Sequence, residues 1–226
     1  MVYSDYLLQL AFLLHDPIYR DHNLSPGSGQ PLLLIPGFLV GDWSLQVMAG
    51  WLCRIGYRPY LSGIAWNVHA PERTSALLTL RLTYIVEETR SPVILVGHSL
   101  GGVLARFLSA SAPQYVRHVV TIGSPLSNTP HAVHPMIRGA FLFLHRLRNP
   151  RGRVSPAQSH FAATVSAPLP PGVEGTTIFS CDDEIVDWRA CIDPRGTNYQ
   201  VPGRHLGLVV NRAVYRLLAT ILSSTP

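Results

Sequence analysis

Short runs rich in β-forming residues alternate along this chain with longer runs of helical spacing. The short runs, of which 32–35 and 93–96 are fully apolar, predict strands, and the longer runs, with apolar residues three or four positions apart, predict helices. The predicted strands are residues 32–35, 57–62, 93–96, 116–122, 175–180 and 199–201. The predicted helices are residues 42–55, a long helix that opens at Pro71, 100–110, 135–147 and 206–222. Strands that alternate with helices are typical of a parallel sheet covered by helices, so we expect a single α/β domain over residues 1–226.

This alternation breaks between residues 124 and 172, where proline is frequent. The segment 135–147 nevertheless has helical spacing, with an apolar face that includes Met136, Ile137 and Phe141. We predict that residues 124–172 form an insertion above the sheet. The insertion is either a cap or lid over a functional site or a helix that simply packs on the domain.

The composition limits the class of protein. The chain has 226 residues, of which 47% are hydrophobic and only 14% are charged, which excludes a disordered chain and a coiled coil. No apolar run reaches the roughly 18 residues of a membrane-spanning helix. The apolar patch at residues 7–14 has no basic residue before it, so we predict a packed helix rather than a targeting signal. The expected location is the cytoplasm, or outside the cell if the chain is a trimmed mature form.

Every basic residue is an arginine, and the formal net charge is +5. Five arginines lie between residues 138 and 153, in a stretch that lacks acidic residues: Arg138, Arg146, Arg148, Arg151 and Arg153. Such a cluster is either a solvated basic face or a surface that attracts an anionic partner, and peripheral contact with anionic lipid is one hypothesis. Nucleic acid is not an expected partner, because the stretch has no pattern of stacking aromatic residues.

The strongest chemical signal is Gly97-His98-Ser99-Leu100-Gly101, which follows a predicted strand and precedes a predicted helix. The pattern Gly-x-Ser-x-Gly in this context predicts a tight turn that presents a serine nucleophile above the sheet. The two glycines leave room for the close approach of neighbouring backbone. We therefore predict that Ser99 is a catalytic nucleophile.

A serine nucleophile needs a base and an acid that orients the base, and in this architecture they follow it in the order acid, then histidine. Of the six histidines after Ser99, His205 is the one that follows an acidic loop and lies between the last predicted strand and the last helix. The acidic loop offers four carboxylates, which composition alone does not separate: Asp182, Asp183, Glu184 and Asp187.

Three segments, 33–38, 97–101 and 180–186 together with His205, give the chain a resemblance to the α/β-hydrolase superfamily, in particular to its compact bacterial esterases and lipases. The resemblance implies a minimal, mostly parallel sheet of about six strands flanked by helices, with a helical cap-like insertion. It also implies that Asp183 is the acid, with Asp187 as second choice. The backbone amides of Phe38 and Leu100 are then the expected donors of the oxyanion hole.

These assignments predict a serine hydrolase that cleaves carboxylic esters, either a small-molecule or a lipid ester, without a cofactor or a metal ion. His98, Phe141 and Trp188 are candidate substrate-binding residues. Two alternatives remain, namely an acyltransferase or thioesterase with the same catalytic residues, and a non-catalytic binding protein on the same fold. Cys181 and Cys191 flank the acidic loop and could be either a disulfide or two free thiols.

Overall fold

A six-stranded sheet forms the centre of the computed structural model, which describes residues 2–20, 27–127, 132–148 and 156–224. Its strands are β1 Pro31–Ile35, β2 Arg58–Leu61, β3 Val93–His98, β4 Val116–Ile122, β5 Glu174–Phe179 and β6 Thr197–Gln200. They follow the order β2-β1-β3-β4-β5-β6, and all five pairings are parallel. The predicted fold class, an α/β domain with a minimal parallel sheet, is confirmed.

Helices cover both faces of the sheet, and strands β1, β3 and β4 contribute buried apolar side chains to both layers. The α-helices are α1 Val2–His15, α2 Pro17–Arg20, α3 Gln46–Arg54, α4 Pro71–Thr89, α5 Leu100–Ser111, α6 Pro135–Arg148, α7 Pro156–Ser166, α8 Trp188–Cys191 and α9 Arg212–Ser224. In β1, Leu32 and Leu34 belong to the apolar cluster shared with α3 and α9, whereas Leu33 and Ile35 belong to the cluster shared with α4 and α5. This alternation is what a strand buried on both faces requires.

Because all strands are parallel, their carboxyl ends meet at one edge of the sheet. The turn after β1, the β3–α5 junction, the loop after β5 and the segment after β6 all lie at this edge. Those are the four segments that hold Phe38, Ser99, Asp183 and His205. The sheet topology thus gathers residues that are far apart in the sequence.

The C-terminal part of the chain differs from the predicted single helix over residues 206–222. A 3₁₀ helix, His205–Val210, and α9 are separated at Asn211. The Asn211 side chain donates to the Pro202 carbonyl at 2.7 Å and accepts from the Ala213 amide at 2.8 Å. These bonds stop the first helix and cap the second, because a short amide side chain competes with the helical hydrogen bonds of the backbone.

The predicted N-terminal helix is present as α1, which packs against the 3₁₀ helix that begins at His205 and against α9. Its inward side includes the fully buried Leu13. A search of the described helices finds none with the length and apolar character needed to cross a membrane.

Candidate active site

Ser99 lies on a strained turn between β3 and α5. Its backbone has φ +52° and ψ −122°, a conformation that residues with a side chain rarely adopt. The Ser99 amide donates to the Ile122 carbonyl at 2.8 Å, which ties the turn to the end of β4. At Gly101 an added Cβ would lie 2.1 Å from the Ile35 carbonyl oxygen, so only glycine permits this approach of the two backbones. Main-chain packing therefore maintains the strain.

His205 and Asp183 form a buried pair beside this turn. The Nδ1–H of His205 donates to Oδ2 of Asp183 at 2.6 Å, and both side chains are almost fully buried. Oδ1 of Asp183 accepts from the amides of Ile185 and Val186 at 2.9 and 2.8 Å. With Nδ1 bearing the proton, the other ring nitrogen of the neutral imidazole, Nε2, has a free lone pair.

The other carboxylates of the acidic loop have different positions. Asp187 is the N-cap of α8 and accepts from the Arg189 amide at 3.0 Å. Glu184 approaches the backbone of the histidine, since its Oε2 accepts from the His205 amide at 3.3 Å. Asp182 is exposed. Asp183 is the carboxylate that meets the His205 ring.

Gly123 links the serine turn to this pair. It follows Ile122, the acceptor of the Ser99 amide, and a Cβ added to it would lie 3.2 Å from Asp183 Oδ2 and 3.4 Å from His205 Nδ1. Among the described residues no hydrogen bond yet joins Ser99 Oγ to the imidazole. Catalytic hydrogen bonds are often long before substrate binds and shorten in the complex.

His98 packs directly on His205. The two ring centroids are 4.8 Å apart, and the Nε2–H of His98 donates to the main-chain carbonyl of His205 at 3.1 Å. Burial, and secondarily the neighbouring His205, lowers the pKa of His98 to about 3. His98 is therefore a neutral hydrogen-bond donor that supports the backbone of His205.

Two backbone amides without acceptors flank Ser99. Leu100 is the first residue of α5, so its N–H has no acceptor within the helix. Phe38 lies in the turn after β1, where a Cβ on the adjacent Gly37 would be 3.2 Å from Ser99 Cβ. Neither amide donates a hydrogen bond to another residue of the described ranges. They are the two donors that the resemblance implied for an oxyanion hole.

A cavity of about 380 Å³ opens at Ser99. Its wall is mainly apolar and includes side chains from the β1 turn, α5, α6 and α7: Phe38, Val103, Ile137, Phe141, Leu142 and Phe161. Phe141 meets Phe38 edge to face with ring centroids 5.5 Å apart. Of the three candidate substrate-binding residues, Phe141 lies in this wall and the other two lie outside it. His98 is behind the serine turn, and Trp188 stacks on Phe179 with centroids 5.8 Å apart.

Helices α6 and α7, which lie between β4 and β5 in the segment predicted to be an insertion, both contribute to the wall of the cavity at Ser99. The first leg of this segment is tied to the acidic loop, because the His134 amide donates to the Ile185 carbonyl at 2.7 Å and the Asp187 amide to the Ala132 carbonyl at 3.0 Å. Helix α7 packs on α5 through Phe161, which stacks on Phe107. Residues 128–131 and 149–155 of the insertion, with His131, Arg151 and Arg153, lie outside the described residues.

Several contributors were not predicted from the sequence. Helix α7 with Phe161 lies in the proline-rich stretch, where its apolar spacing is weak. Two contacts correspond to no sequence motif. They are the hydrogen bond between Glu184 and the His205 backbone and the bonds from Asn67 to the turn that holds Phe38.

Cys181 and Cys191 are free thiols. Burial raises the pKa of Cys191. The described residues contain no cluster of three side chains able to bind a metal ion.

Comparison with known proteins identifies the architecture. A family model described as alpha/beta hydrolase fold matches residues 84–162, which include the Ser99 turn. A lipase of Bacillus licheniformis is similar over 87% of this chain and 94% of its own, with 16% identity and a TM-score of 0.65. The mouse alpha/beta hydrolase domain-containing protein 10 is similar over 85% of this chain and 88% of its own, with 21% identity and a TM-score of 0.55. At these identities the likeness extends to the fold and leaves the substrate to be argued from the site.

Proposed function

We propose that this chain, which has the α/β-hydrolase fold, is a serine hydrolase that cleaves carboxylic esters with an apolar acyl group. The observation that carries the proposal is the buried His205–Asp183 pair beside the turn of Ser99, which itself lies in the wall of the apolar cavity. A strained serine, a histidine with a buried carboxylate partner and two free amides are the parts that acyl transfer requires.

The first half of the reaction acylates the serine. His205 Nε2 takes the proton of Ser99 Oγ as the oxygen attacks the ester carbonyl carbon. The carbonyl oxygen becomes an anion and accepts hydrogen bonds from the Phe38 and Leu100 amides. When the tetrahedral intermediate collapses, the bond to the alcohol oxygen breaks and His205 returns its proton to that alcohol.

The second half regenerates the enzyme. Water loses a proton to His205 and attacks the acyl carbon, and collapse of the second intermediate releases the acid and restores the Ser99 hydroxyl. Asp183 keeps the imidazole in the productive tautomer and offsets its positive charge in both halves. In this scheme His205 performs every proton transfer, and Ser99 is the residue to which the acyl group is covalently attached.

The apolar wall favours an acyl chain over a polar group in the cavity. Burying apolar surface stabilises a complex by about 25 cal/mol per Å². The wall includes Phe38 in the turn after β1 and Phe141 on α6. The esterase and lipase alternatives therefore differ in how long an acyl chain this cavity accepts and in whether the substrate is presented at a lipid surface.

The proposal is tested by hydrolysis of p-nitrophenyl esters from acetate to palmitate. Ser99→Ala is expected to lower kcat by about 10³-fold or more while the chain stays folded. Ser109→Ala, in the helix that follows Ser99 and with its hydroxyl bonded to the Arg106 carbonyl, is the matched control and is expected to keep full activity. Residual turnover above a tenth of wild type in Ser99→Ala would refute the assignment. Product formation that rises with added alcohol would instead identify an acyltransferase.

A further inference from the structure

The turn that holds Phe38 is fixed by one residue from a different loop, Asn67. The side-chain Nδ2 of Asn67 donates to the Pro36 carbonyl at 2.9 Å. Its backbone amide donates to the Val40 carbonyl at 2.8 Å, and its own carbonyl accepts from the Leu39 amide at 3.1 Å. Three hydrogen bonds from one residue thus bracket Phe38 on both sides.

The turn needs an external support because its own backbone is unfavourable. Leu39 has φ +63°, a left-handed conformation that is unfavourable for a residue with a side chain. The turn also contacts the serine turn closely, since a Cβ on Gly37 would lie 3.1 Å from His98 Nδ1. The contact with His98 and Ser99 limits the turn from one side, and Asn67 holds it from the other.

The Asn67 side chain is itself deeply buried. Its side chain is 1% exposed, and Oδ1 is buried without a hydrogen-bond partner in the described ranges. An unpaired buried acceptor lowers the stability of a fold, so this side chain is unfavourable for folding on that account. An apolar residue of similar size would avoid that cost but would lose the donor to Pro36.

The segment that carries Asn67 is braced separately from the turn. The Asp42 carboxylate accepts from the Ser62 amide at 3.2 Å and from the Gly63 amide at 2.7 Å, and the Asp42 amide donates to the Ile64 carbonyl at 2.9 Å. Residues 62–64, three positions before Asn67, are therefore bonded to Asp42. Of this segment, Asn67 is the residue whose side chain reaches the turn at Pro36.

We infer that Asn67 is a positioning residue of the oxyanion hole, which acts through the Phe38 amide without touching the substrate. The inference rests on the function proposed above. Loss of one oxyanion donor typically costs about 10²–10³ in kcat. Loss of its support should cost less, about tenfold to a hundredfold, because the two backbone bonds of residue 67 remain.

The test compares Asn67→Ala and Asn67→Leu with wild type, Ser99→Ala and a matched control, Asn198→Ala. Asn198 also bonds main-chain carbonyls through Nδ2, those of Asp193 and Gly196, but at the opposite end of the sheet order. We expect both Asn67 variants to lower kcat about tenfold to a hundredfold with KM and the midpoint of the pH–rate profile unchanged. Asn198→Ala is expected to keep the wild-type kcat.

A second readout isolates the oxyanion. An alkyl trifluoromethyl ketone, which Ser99 would convert to a hemiketal anion, should bind each Asn67 variant more weakly by the same factor as kcat/KM falls. An alkyl alcohol of the same chain length, which has no carbonyl group and therefore forms no oxyanion, should bind as well as to wild type. Melting temperatures of all variants establish that they are folded.

The outcomes separate the two proposals. If wild type does not turn over esters, the proposed function fails and the inference falls with it. If wild type is active and either folded Asn67 variant keeps its kcat, or if the ketone and alcohol affinities fall alike, only the inference is overturned. Two Asn67 variants that both fail to fold would make this a residue of the fold alone and would also overturn it.

Discussion

At the scale of single residues, two neighbouring carboxylates of the acidic loop have separable tasks. Asp183 accepts three hydrogen bonds, one of them from His205, whereas Asp187 caps α8. Asp183→Asn should lower kcat by about 10³–10⁴, because an amide does not stabilise the imidazolium and favours the wrong tautomer. Steady-state kinetics on a short-chain p-nitrophenyl ester measures the loss.

The control for that prediction is the same substitution four residues later. Asparagine caps helices about as well as aspartate, so Asp187→Asn should change kcat less than threefold or so and leave the melting temperature nearly unchanged. Equal losses in the two variants would assign the orienting role to the loop as a whole rather than to Asp183.

His98 gives a prediction about stability and pH. Burial and the neighbouring His205 lower its folded-state pKa to about 3, whereas the unfolded value is about 6.5. Between these values the unfolded chain binds a proton at this site and the folded chain does not. The free energy of unfolding should therefore fall as the pH drops from about 6.5 towards 3, by up to about 1.4 kcal/mol per pH unit from this one group.

The variant His98→Gln isolates this contribution. Glutamine retains an amide donor for the His205 carbonyl but does not titrate, so its unfolding free energy should depend less steeply on pH between 6.5 and 4. Urea titrations of both proteins at several pH values measure the two slopes. His118, whose pKa is also lowered by burial, is present in both proteins and cancels in the comparison. Identical slopes would contradict the assigned protonation state.

At the scale of elements, α6 has two faces with different expected roles. Phe141 lies in the cavity wall against Phe38, whereas Phe143 is 63% exposed on the same helix. Phe141→Trp should fill space needed by the acyl chain and lower kcat/KM for hexanoate and longer esters at least about tenfold relative to acetate, because each lost methylene contact costs about 1–3 kcal/mol.

Phe143→Trp is the matched control on the outer face of α6. The same enlargement there meets solvent and should leave the chain-length profile of p-nitrophenyl ester hydrolysis as in wild type. A profile shifted equally by both substitutions would mean that the position of α6, rather than the size of Phe141, sets the preference.

Elements with a strong local pattern could be predicted from the sequence, and elements held by distant contacts could not. The strand before Ser99 is a continuous apolar run, and the two glycines of the turn have the fixed spacing Gly-x-Ser-x-Gly. Both features can therefore be recognised in the sequence. The break at Asn211 depends on a bond to Pro202, nine residues earlier. Asn67 meets Pro36 across 31 residues, and no period or motif records such a contact.

The same distinction between local patterns and distant contacts applies to the residues of the candidate site. Ser99 and His205 follow from a motif and from chain order, and the resemblance singled out Asp183, which does meet His205 in the structure. The apolar wall depends on how α6 and α7 return over the sheet. Trp188 was expected in this wall for its aromatic ring, but that ring stacks on Phe179 instead. An aromatic residue type predicts that a side chain is buried, but not which neighbouring surface it packs against.

At the scale of the whole molecule, exposed apolar side chains occur in the two segments of the chain that contribute Phe38 and Phe141 to the cavity wall. Leu39, Trp43 and Trp66 follow the turn of Phe38 and its support, and Met136 and Phe143 lie on α6. Trp43 and Trp66 meet edge to face with centroids 6.2 Å apart, and both are more than half exposed. We propose that these side chains, on a chain with a net charge of +5, form a rim that would contact an anionic lipid surface, where indole rings partition favourably.

The corresponding prediction is that the rim increases the rate on aggregated substrate. Wild type should show a rise in rate above the solubility limit of a long-chain ester, and Trp43→Ser with Trp66→Ser should reduce that rise and the binding to anionic vesicles without changing kcat/KM on soluble acetate. Leu80→Ser removes a comparably exposed apolar residue, 70% exposed on α4, and should change neither. If the wild-type rate does not rise when the substrate concentration passes the solubility limit, interfacial activation is excluded and the esterase alternative is favoured. The exposed rings would then contribute nothing to encountering the substrate.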